Sequence, residues 1–317
     1  MEQAAAWAIE ARHLQRSFDG LVAVVDFTLA VAPGEIVGLV GPDGAGKTTT
    51  MRMLCGAMPP TSGTALIAGH DVVGEPERVK ASLGYMSQRF SLYGDLTVAE
   101  NLRFFSDIHG VPRREQGPRA QELLEFARLT PFRQRLAQDL SGGMRQKLAL
   151  ACTLMHTPQV LLLDEPTTGV DPVSRREFWQ ILVRLLAQGT TILMSTPYMD
   201  EAERCKRVAL MAQGRLLSVD TPAGMKGRLR GGMVHLQAEP QAQARQVLAR
   251  LPYVHSVEVF GSRLHVAVDE PARDESLLVA ELQAAGVRVS AHRAAPASLE
   301  DVFVQALEPL PRRREDG

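Results

Sequence analysis

The chain has 317 residues, of which 45% are hydrophobic and 22% charged, and its formal net charge is −1 at pH 7. This length accommodates one large or two smaller domains, and the composition is that of an ordinary globular protein. A charge balance so close to neutral gives no bulk electrostatic reason to expect a nucleic-acid partner. The longest nearly apolar stretch, residues 21–40, is interrupted by charges and by Pro33-Gly34, so it predicts two strands and a turn rather than a membrane span.

The cysteines and the first residues bear on where the chain works. Cys55, Cys152 and Cys205 are widely spaced and odd in number, which favours buried thiols in a reducing compartment. The first residues, Met1-Glu2-Gln3, are acidic rather than basic and do not resemble a secretory signal. If the protein works at a membrane, we expect partner subunits to hold it there.

A glycine loop stands between a predicted strand and a predicted helix. Residues 8–31 alternate loosely, as edge strands do, and the apolar run at 35–40 predicts a buried strand that ends at the loop. Residues 41–48 match G-x-x-x-x-G-K-S/T, and a helix-forming run follows from 47 to 58. The strand–loop–helix context argues against a chance match. The residues expected to contact ATP here are Gly41, Pro42, Asp43, Gly44, Ala45, Gly46, Lys47, Thr48 and Thr49.

The chemistry of this loop explains its residue types. Glycines let backbone N–H groups curl round phosphates at the positive end of a helix. Lys47 would neutralise the β- and γ-phosphates, and the Thr48 hydroxyl would hold Mg²⁺. Asp43 is unusual, because a carboxylate in a phosphate cradle is unfavourable unless it points outward or is hydrogen-bonded. We expect Asp43 to cap a local turn.

The central part of the chain alternates between helical and strand patterns. Residues 64–87 predict short strands, residues 97–157 show helical periodicity, and strands return at 160–163 and 190–194 around a helix at 174–188. This order predicts a parallel sheet with an inserted helical region.

Two acidic residues follow the apolar strand at 160–163. Asp164 and Glu165 would stand at its carboxyl end, where the ligands of α/β sheets collect. Asp164 would reach Mg²⁺ through the water shell of the ion. Acidic residues after a strand often cap helices, but Pro166 and the spacing from Ser141 make that reading less favourable.

A second helix start suits a phosphate. Ser141-Gly142-Gly143 precedes a helical run, serine is a favoured N-cap, and a helix N-terminus carries about half a positive charge. The phosphate loop of the same chain is not a plausible target if the helical region folds outward. A plain helix start is the alternative, which Leu140 before the motif and Gln146 after it make remote.

These motifs together resemble the ABC ATPases over about residues 8–220. More narrowly, Thr97-Val98-Ala99-Glu100-Asn101-Leu102 and Ala297-Ser298-Leu299-Glu300-Asp301-Val302-Phe303 are typical of ATP-binding subunits of daunorubicin-resistance-type multidrug exporters. The resemblance implies an α/β P-loop NTPase fold of ABC type over residues 1–226. Its sheet core would be parallel or mixed, with a helical subdomain at about 89–157.

The resemblance also implies roles for single residues. Glu165 would be the catalytic base that positions the attacking water, and Gln88 a hinge glutamine that touches Mg²⁺. Phe18 would stack on adenine, although a half-buried strand phenylalanine is nearly as good an explanation. Ser141, Gly142 and Gly143 would contact ATP held by a second ATPase domain. Asp171, in Gly169-Val170-Asp171-Pro172, would sense the opposite ATP site.

One position departs from the pattern of the family. After the strand that ends near 194 the family has Ser-Thr-His, whereas this chain has Ser195-Thr196-Pro197. Proline has no side-chain donor or acceptor, and losing such stabilisation of a transition state costs ~10²-fold or more. We therefore expect this ATP site to be degenerate and to hydrolyse slowly despite Glu165. Compensation by Tyr198 or by water is the alternative.

A second unit is predicted at residues 233–308, after a linker at 226–232. Its pattern is β-α-β-β-α-β with helices at 241–251, 275–285 and 298–307, which indicates a small α+β ferredoxin-like domain. We interpret it as a dimer lock, with a ligand sensor as the alternative. The tail at 309–317 is expected to be disordered.

The resemblance implies an ATP-binding and ATP-hydrolysing subunit that uses Mg²⁺ and powers export by a membrane permease. Its other partner would be a second ABC ATPase domain, and its place the cytoplasmic face of the cell membrane. A permease helix would dock near Gln88–Tyr93, where apolar Phe90, Leu92 and Tyr93 fit docking and core packing equally. A non-hydrolysing ATP-gated clamp and a soluble ABC protein acting on ribosomes or DNA are the other two readings. The transported substrate is not encoded in these motifs.

Overall fold

The computed structural model describes residues 7–89, 92–229 and 231–307, and the chain divides into two compact units, residues 1–219 and 220–317. The expected disordered tail at 309–317 and the proposed docking residue Phe90 lie outside the described residues. Within the described ranges, no helix combines the length and the apolar character that crossing a membrane requires.

The first unit combines two sheets with helices. The strands are β1 (Ile9–Phe18), β2 (Leu21–Val31), β3 (Ile36–Val40), β4 (Ser62–Ile67), β5 (His70–Asp71), β6 (Leu83–Met86), β7 (Val160–Asp164), β8 (Thr191–Thr196), β9 (Arg207–Ala212) and β10 (Arg215–Asp220). The helices are α1 (Lys47–Leu54), α2 (Pro76–Ser82), α3 (Val98–Ile108), α4 (Arg113–Phe126), α5 (Gly142–Thr153), α6 (Pro172–Ala187) and α7 (Met199–Ala202).

The main sheet has the strand order β10-β9-β3-β8-β7-β6. Strand β3 runs parallel to β8 and β9, and β7 runs parallel to β6 and β8. All residues of β3, β7 and β8 are buried, as expected for parallel strands that are covered on both faces. The predicted parallel sheet is confirmed. Its order places the carboxyl ends of β3, β8 and β7 side by side, and the loops that follow them meet there.

The N-terminal strands form a sheet of their own. Their order is β2-β1-β4-β5, with antiparallel pairing of β1 to both β2 and β4. The sequence predicted edge strands here, and the inward-facing side chains of these strands are buried against the main sheet. Ile9, Leu14 and Phe27 pack in one cluster with Val37 and Leu39 of β3.

The helical region lies between β6 and β7, as predicted. Helix α3 begins with a capping box, in which the Glu100 N–H donates to Thr97 Oγ1 at 3.2 Å and the Thr97 N–H donates to Glu100 Oε2 at 2.8 Å. Asn101 is fully buried, and its amide donates to the carbonyls of Tyr93, Leu96 and Thr97. The segment at 97–102 is therefore a self-contained helix start that also fastens the preceding loop.

The second unit has the connectivity that its sequence predicted. Its sheet is antiparallel with the order β12-β13-β11-β14, the arrangement of a ferredoxin-like split motif. Helix α10 begins at 271 rather than at the predicted 275, because a proline at its start and Asp274, which accepts from the Glu270 N–H at 2.9 Å, favour the earlier turn. The elements are α8 (Pro222–Lys226), β11 (Gly232–Glu239), α9 (Gln241–Leu248), β12 (Val254–Phe260), β13 (Arg263–Val268), α10 (Pro271–Ala284), β14 (Arg288–Ala295) and α11 (Leu299–Leu307).

The three cysteines are free thiols, as predicted. Cys152 and Cys205 are buried and Cys55 is half-buried. Burial raises the pKa of the Cys205 thiol to about 12 and that of Cys55 to about 11, so these thiols are protonated at neutral pH.

Candidate functional site

The loop between β3 and α1 is shaped by close backbone contacts that only glycine permits. A Cβ atom at Gly41 would lie 2.1 Å from the Met211 carbonyl oxygen. Gly46 has a φ of +100°, and a Cβ there would lie 2.6 Å from the Ala23 carbonyl oxygen. The glycines thus allow neighbouring backbone to pack against the loop while α1 begins directly after it. No side chain caps this helix start, so its first N–H groups remain available to an anion.

Lys47 is the cation of the loop. Its side chain is 5% exposed, and its Nζ donates to the Gly41 carbonyl at 2.9 Å and to the Pro42 carbonyl at 3.1 Å. The same Nζ lies 3.5 Å from Glu165 Oε1. Asp43 is exposed. Thr48 and Thr49 lie half-buried in the first turn of α1.

Asp164 and Glu165 are joined by a serine that the sequence analysis did not select. Ser195 of β8 lies directly opposite Asp164 of β7. Its hydroxyl donates to Asp164 Oδ1 at 2.6 Å and accepts from the Glu165 N–H at 2.9 Å. Asp164 Oδ2 is buried and has no hydrogen-bond partner in the described part of the chain. A buried, unpaired carboxylate oxygen beside a phosphate loop suits a magnesium ion and its water shell.

Glu165 has a constrained conformation. Its φ is +50°, in the left-handed region that residues with a Cβ seldom adopt outside functional or tightly held sites. Its side chain is nearly buried, and Oε2 accepts from Gln88 Nε2 at 3.0 Å and from Thr168 Oγ1 at 3.4 Å. The structure therefore brings Lys47, Gln88, Asp164 and Glu165 into one cluster.

The other predicted nucleotide contacts form a separate surface. Ser141 caps α5 by accepting from the Met144 N–H at 3.3 Å, and Ser141 and Gly142 are both exposed. Gly143 is buried against α6, where an added Cβ would lie 2.3 Å from the Ser174 side chain. Among the described residues, no hydrogen bond links this helix start to the phosphate loop.

Asp171 is placed next to that surface by the start of α6. Its Oδ1 accepts from the N–H groups of Ser174 at 3.0 Å and Val173 at 3.1 Å. These hydrogen bonds, that of Ser174 above all, lower the pKa of the exposed Asp171 carboxyl. The structure brings Asp171 together with Ser141, Gly142 and Gly143 through Ser174, rather than with the cluster around Lys47.

Pro197 is exposed at the end of β8, and a buried carboxylate organises the residues around it. Glu201 is 1% exposed and accepts from Thr196 Oγ1 at 2.7 Å, from Thr167 Oγ1 at 2.7 Å and from Arg175 Nε at 3.3 Å. Arg175 also lies 4.0 Å above the Tyr198 ring. This network joins the loop after Glu165, the start of α6 and the segment that carries Pro197. The sequence indicated only that the segment after Pro197 is acidic, and it did not indicate the hydrogen bonds of this network.

Phe18 lies at the end of β1. It is 37% exposed, and the Arg16 guanidinium lies 4.6 Å from the centre of its ring. Because the Phe18 side chain is partly exposed, a face of its ring could stack on adenine. Its position at the end of β1 agrees equally well with the alternative, a half-buried phenylalanine of a strand.

The family is decided by comparison with known proteins. The profile of the ABC transporter family matches residues 24–168. The Nod factor export ATP-binding protein I of Cupriavidus metallidurans is 37% identical over 299 residues, which cover 94% of this chain and 96% of that protein. The chain belongs to the ABC transporter ATP-binding proteins.

Other ABC proteins resemble it over shorter or similar ranges. The daunorubicin/doxorubicin resistance ATP-binding protein DrrA of Streptomyces peucetius is 36% identical over 94% of this chain and 91% of its own length. The probable multidrug ABC transporter ATP-binding protein YbhF of Escherichia coli is 44% identical over 83% of this chain, but the match spans only 46% of that protein. This chain is thus about half the length of that ABC relative.

Solved structures agree with the fold. An ATP-binding subunit of an ABC transporter superposes with a TM-score of 0.64 at 29% identity and covers 70% of this chain and 92% of its own. A bacterial ABC transporter cassette, MJ0796, described as dimeric, superposes with a TM-score of 0.62 at 25% identity and covers 67% of this chain and 98% of its own. The α/β P-loop fold predicted from the sequence is confirmed for the ABC ATPase core.

Proposed function

We propose that this chain is the ATP-hydrolysing subunit of an ABC exporter and works with a membrane permease and a second ABC ATPase domain. The observation that carries the proposal is the cluster of Lys47, Gln88, Asp164 and Glu165 at the carboxyl edge of the main sheet. The export names of its relatives, for Nod factors and for daunorubicin, support the direction of transport. We place its work at the cytoplasmic face of the cell membrane, where the permease would hold it.

ATP would occupy the loop between β3 and α1. Lys47 now donates to two loop carbonyls and lies near Glu165, and it would turn to the β- and γ-phosphates when nucleotide binds. Phe18 offers an exposed ring for the adenine. Asp164 Oδ2, Thr48 and Gln88 would hold Mg²⁺, which would neutralise phosphate charge.

Glu165 is the group that would act on water. Lys47 and Gln88 hold its two carboxylate oxygens, and Ser195 fixes its backbone N–H. Once Lys47 turns to the phosphates, Oε1 of Glu165 is free to accept a proton from the attacking water. Ser195 would keep Asp164 and Glu165 in register, because it bonds both residues at once.

The surface of Ser141, Gly142 and Asp171 would complete a second ATP site. The N-terminus of α5 is exposed and carries a partial positive charge. Among the described residues, no hydrogen bond joins it to the phosphate loop of the same chain. A second ATPase domain packed head to tail would bring its own γ-phosphate to this helix. The dimeric ABC cassette among the similar structures supports such an assembly.

Pro197 supports slow turnover at this chain's own site. It stands at the end of β8, directly after the strand that carries Ser195, and offers no donor to a γ-phosphate. Tyr198, the alternative donor, has its ring beneath Arg175. We therefore expect a companion ATPase site to carry most of the hydrolysis.

Phosphate release by the purified chain, alone and assembled with its permease and companion ATPase, tests both parts of the proposal. Glu165→Gln provides the blank. Pro197→His should raise turnover of the assembled complex by ~10-fold or more if the missing donor limits it. Pro33→His is the matched control, since Pro33 is also exposed and lies away from the cluster. Unchanged turnover in Pro197→His would remove the argument for a degenerate site.

A non-hydrolysing clamp is the second candidate, and Pro197 is the observation that favours it. In that case the chain would bind ATP tightly, and turnover would equal that of Glu165→Gln in every assembly. Turnover above the blank in the assembled complex, lost with Glu165→Gln in this chain alone, would exclude the clamp.

A further inference from the structure

A second group of ionisable side chains lies within the ferredoxin-like unit. His235 of β11 and His265 of β13 are directly opposite each other in the antiparallel pairing. Their neighbours Val234, Leu236 and Leu264 pack in the core with α9 and α10. Because side chains alternate along a strand, the two histidines project from the opposite face of the sheet.

The two rings and a carboxylate of α11 are in contact on that face. The imidazoles of His235 and His265 stack with their centres 3.8 Å apart and 12° between their planes. Nδ1 of His265 lies 2.9 Å from Asp301 Oδ1. The other oxygen of Asp301 accepts from the N–H and the hydroxyl of Ser298 at 2.8 and 2.7 Å. His265 and Asp301 are both buried.

His235 is the member of this cluster whose ring has no hydrogen-bond partner among the described residues. Both of its ring nitrogens are buried, and neither has a hydrogen bond within the described residues. An unsatisfied buried polar atom is unfavourable, because it has given up its hydrogen bonds to water without replacing them. An imidazole stacked on a second imidazole beside a carboxylate, with no hydrogen bond of its own among the described residues, is poorly explained by packing alone.

We propose that His235, His265 and Asp301 bind a divalent transition-metal ion of the Zn²⁺ type. Two imidazole nitrogens and one carboxylate oxygen, with water in the fourth position, form a common donor set for such ions. The three ligand atoms lie within 4.8 Å of one another, and a tetrahedral ion with bonds of ~2.1 Å holds its ligands ~3.4 Å apart. Because the two rings are stacked and nearly parallel, one imidazole would have to turn about its Cβ–Cγ bond before both rings could direct a nitrogen at one ion.

The surroundings supply the orientation that a metal ligand needs. Ser298 orients Asp301, as outer-shell partners do in metal sites. Arg293 lies opposite His235 on β14, Glu258 lies opposite His265 on β12, and the charge of Arg263 also acts on His235, so side chains of both signs surround the cluster.

The ion would join α11 to the sheet. His235 and His265 belong to adjacent strands, whereas Asp301 lies in the first turn of α11. A bound ion would therefore fix the C-terminal helix against β11 and β13, and metal removal would loosen that helix first.

Zinc titration of the full-length, chelator-treated and nucleotide-free protein tests the proposal by calorimetry. We expect one tight site per chain and a rise in Tm with added Zn²⁺. His235→Ala should weaken that binding by ~100-fold or more, and Ser298→Ala by ~10-fold. His292→Ala is the matched control, because His292 pairs with Glu275 elsewhere in the same unit and should bind zinc like the wild type.

A cobalt spectrum keeps the test decisive if a histidine variant fails to fold. Asp301→Cys would place a thiolate on the ion, so the Co²⁺-loaded variant should gain a near-ultraviolet thiolate-to-cobalt band that the wild type lacks. The cysteines of the other unit are present in both proteins and serve as the blank. Absence of that band, a wild type without a tight site, or equal zinc affinity in His235→Ala would each overturn the proposal.

Discussion

Two parts of the first unit are proposed to bind phosphate, and they differ in how many of their polar groups are hydrogen-bonded within the chain. Around Lys47 the groups are buried and connected: the ammonium reaches two carbonyls and Glu165, and Ser195 bridges Asp164 and Glu165. At Ser141 the helix start is exposed, and its neighbour Gly142 faces solvent. The first region is preassembled inside the chain, whereas the second presents donors outward.

This difference fits the proposal that one chain contributes to two ATP sites. The buried cluster needs many fixed contacts because it must hold Glu165 in a strained conformation beside Lys47. The exposed helix start needs only a rigid base, which the close approach of Gly143 to Ser174 provides. Variants in the two regions should therefore separate nucleotide binding by the single chain from turnover by an assembly.

The largest effect is expected from Glu165→Gln in the buried region. The substitution removes the base but keeps a group that can bond Gln88, so turnover should fall ~10²–10⁴-fold while ATP binding persists. Phosphate release and nucleotide titration measure the two properties. Glu122→Gln, at an exposed carboxylate paired with Arg119, is the control and should leave both unchanged. Full turnover in Glu165→Gln would show that another residue acts on the water.

Gly142→Asp should sharpen the contrast from the exposed side. A Cβ at this position would make only an ordinary contact, 4.0 Å from the Gly169 carbonyl oxygen, and the backbone is ordinary, so the added side chain should not disturb folding. Its charge would repel a γ-phosphate brought by a second domain, and turnover of the assembly should fall ~10²-fold. ATP binding by the isolated chain should be unchanged.

The control for that variant is Gly117→Asp, which adds the same charge at another open helical glycine, in α4. Turnover of the assembly should survive it. If Gly142→Asp weakens ATP binding by the isolated chain, the two regions are not separate and the comparison fails.

Ser195→Ala should destabilise the buried cluster around Lys47, although Ser195 is not proposed to contact the nucleotide. It leaves Asp164 Oδ1 without its donor and the Glu165 N–H with only the Ser195 carbonyl oxygen at 3.2 Å as an acceptor, which should lower the free energy of unfolding by ~2 kcal/mol and turnover by ~10-fold. Thermal unfolding and phosphate release give the two numbers. Ser82→Ala removes a hydroxyl that bonds only the Arg78 carbonyl and should change neither. Normal turnover in Ser195→Ala would mean that the strands alone fix Asp164 and Glu165.

The smallest effect is expected at the ion pair between Arg207 and Glu35, the residue directly before β3. Arg207 donates to Glu35 at 2.7 and 2.8 Å. Burial by itself would raise the pKa of Glu35, but the Arg207 hydrogen bond and charge outweigh it and lower that pKa below 4.5. A depressed carboxyl pKa stabilises the fold above the unfolded value, and that contribution is lost as pH falls through the folded value.

Glu35→Gln should therefore cost ~1 kcal/mol at pH 7, and its difference from the wild type should shrink as pH falls below 4.5. Denaturant unfolding at pH 7 and at lower pH measures this difference. A gap that stays constant across the range would show that the charge of Glu35 is not the source of its stabilisation.

Local sequence determined the parts of the molecule whose contacts lie within a few residues. The glycine loop stands between β3 and α1 as predicted, and the Thr97 capping box starts α3 where its residue types require. The connectivity of the ferredoxin-like unit follows from its strand and helix periodicity. In each case a turn, a cap or an alternation is complete within one segment, so the chain carries the signal without its fold.

Tertiary structure alone decided which distant residues meet. Ser195 joins Asp164 and Glu165 only because β8 pairs with β7, and Glu201 collects Thr167, Thr196 and Arg175 from separate segments. His235 and His265 form a pair through the register of β11 and β13. Strand order and register set these contacts through packing of the whole sheet, which no local pattern encodes. The sequence thus indicated the groups that are proposed to contact phosphate, and the fold supplied the groups that hold them.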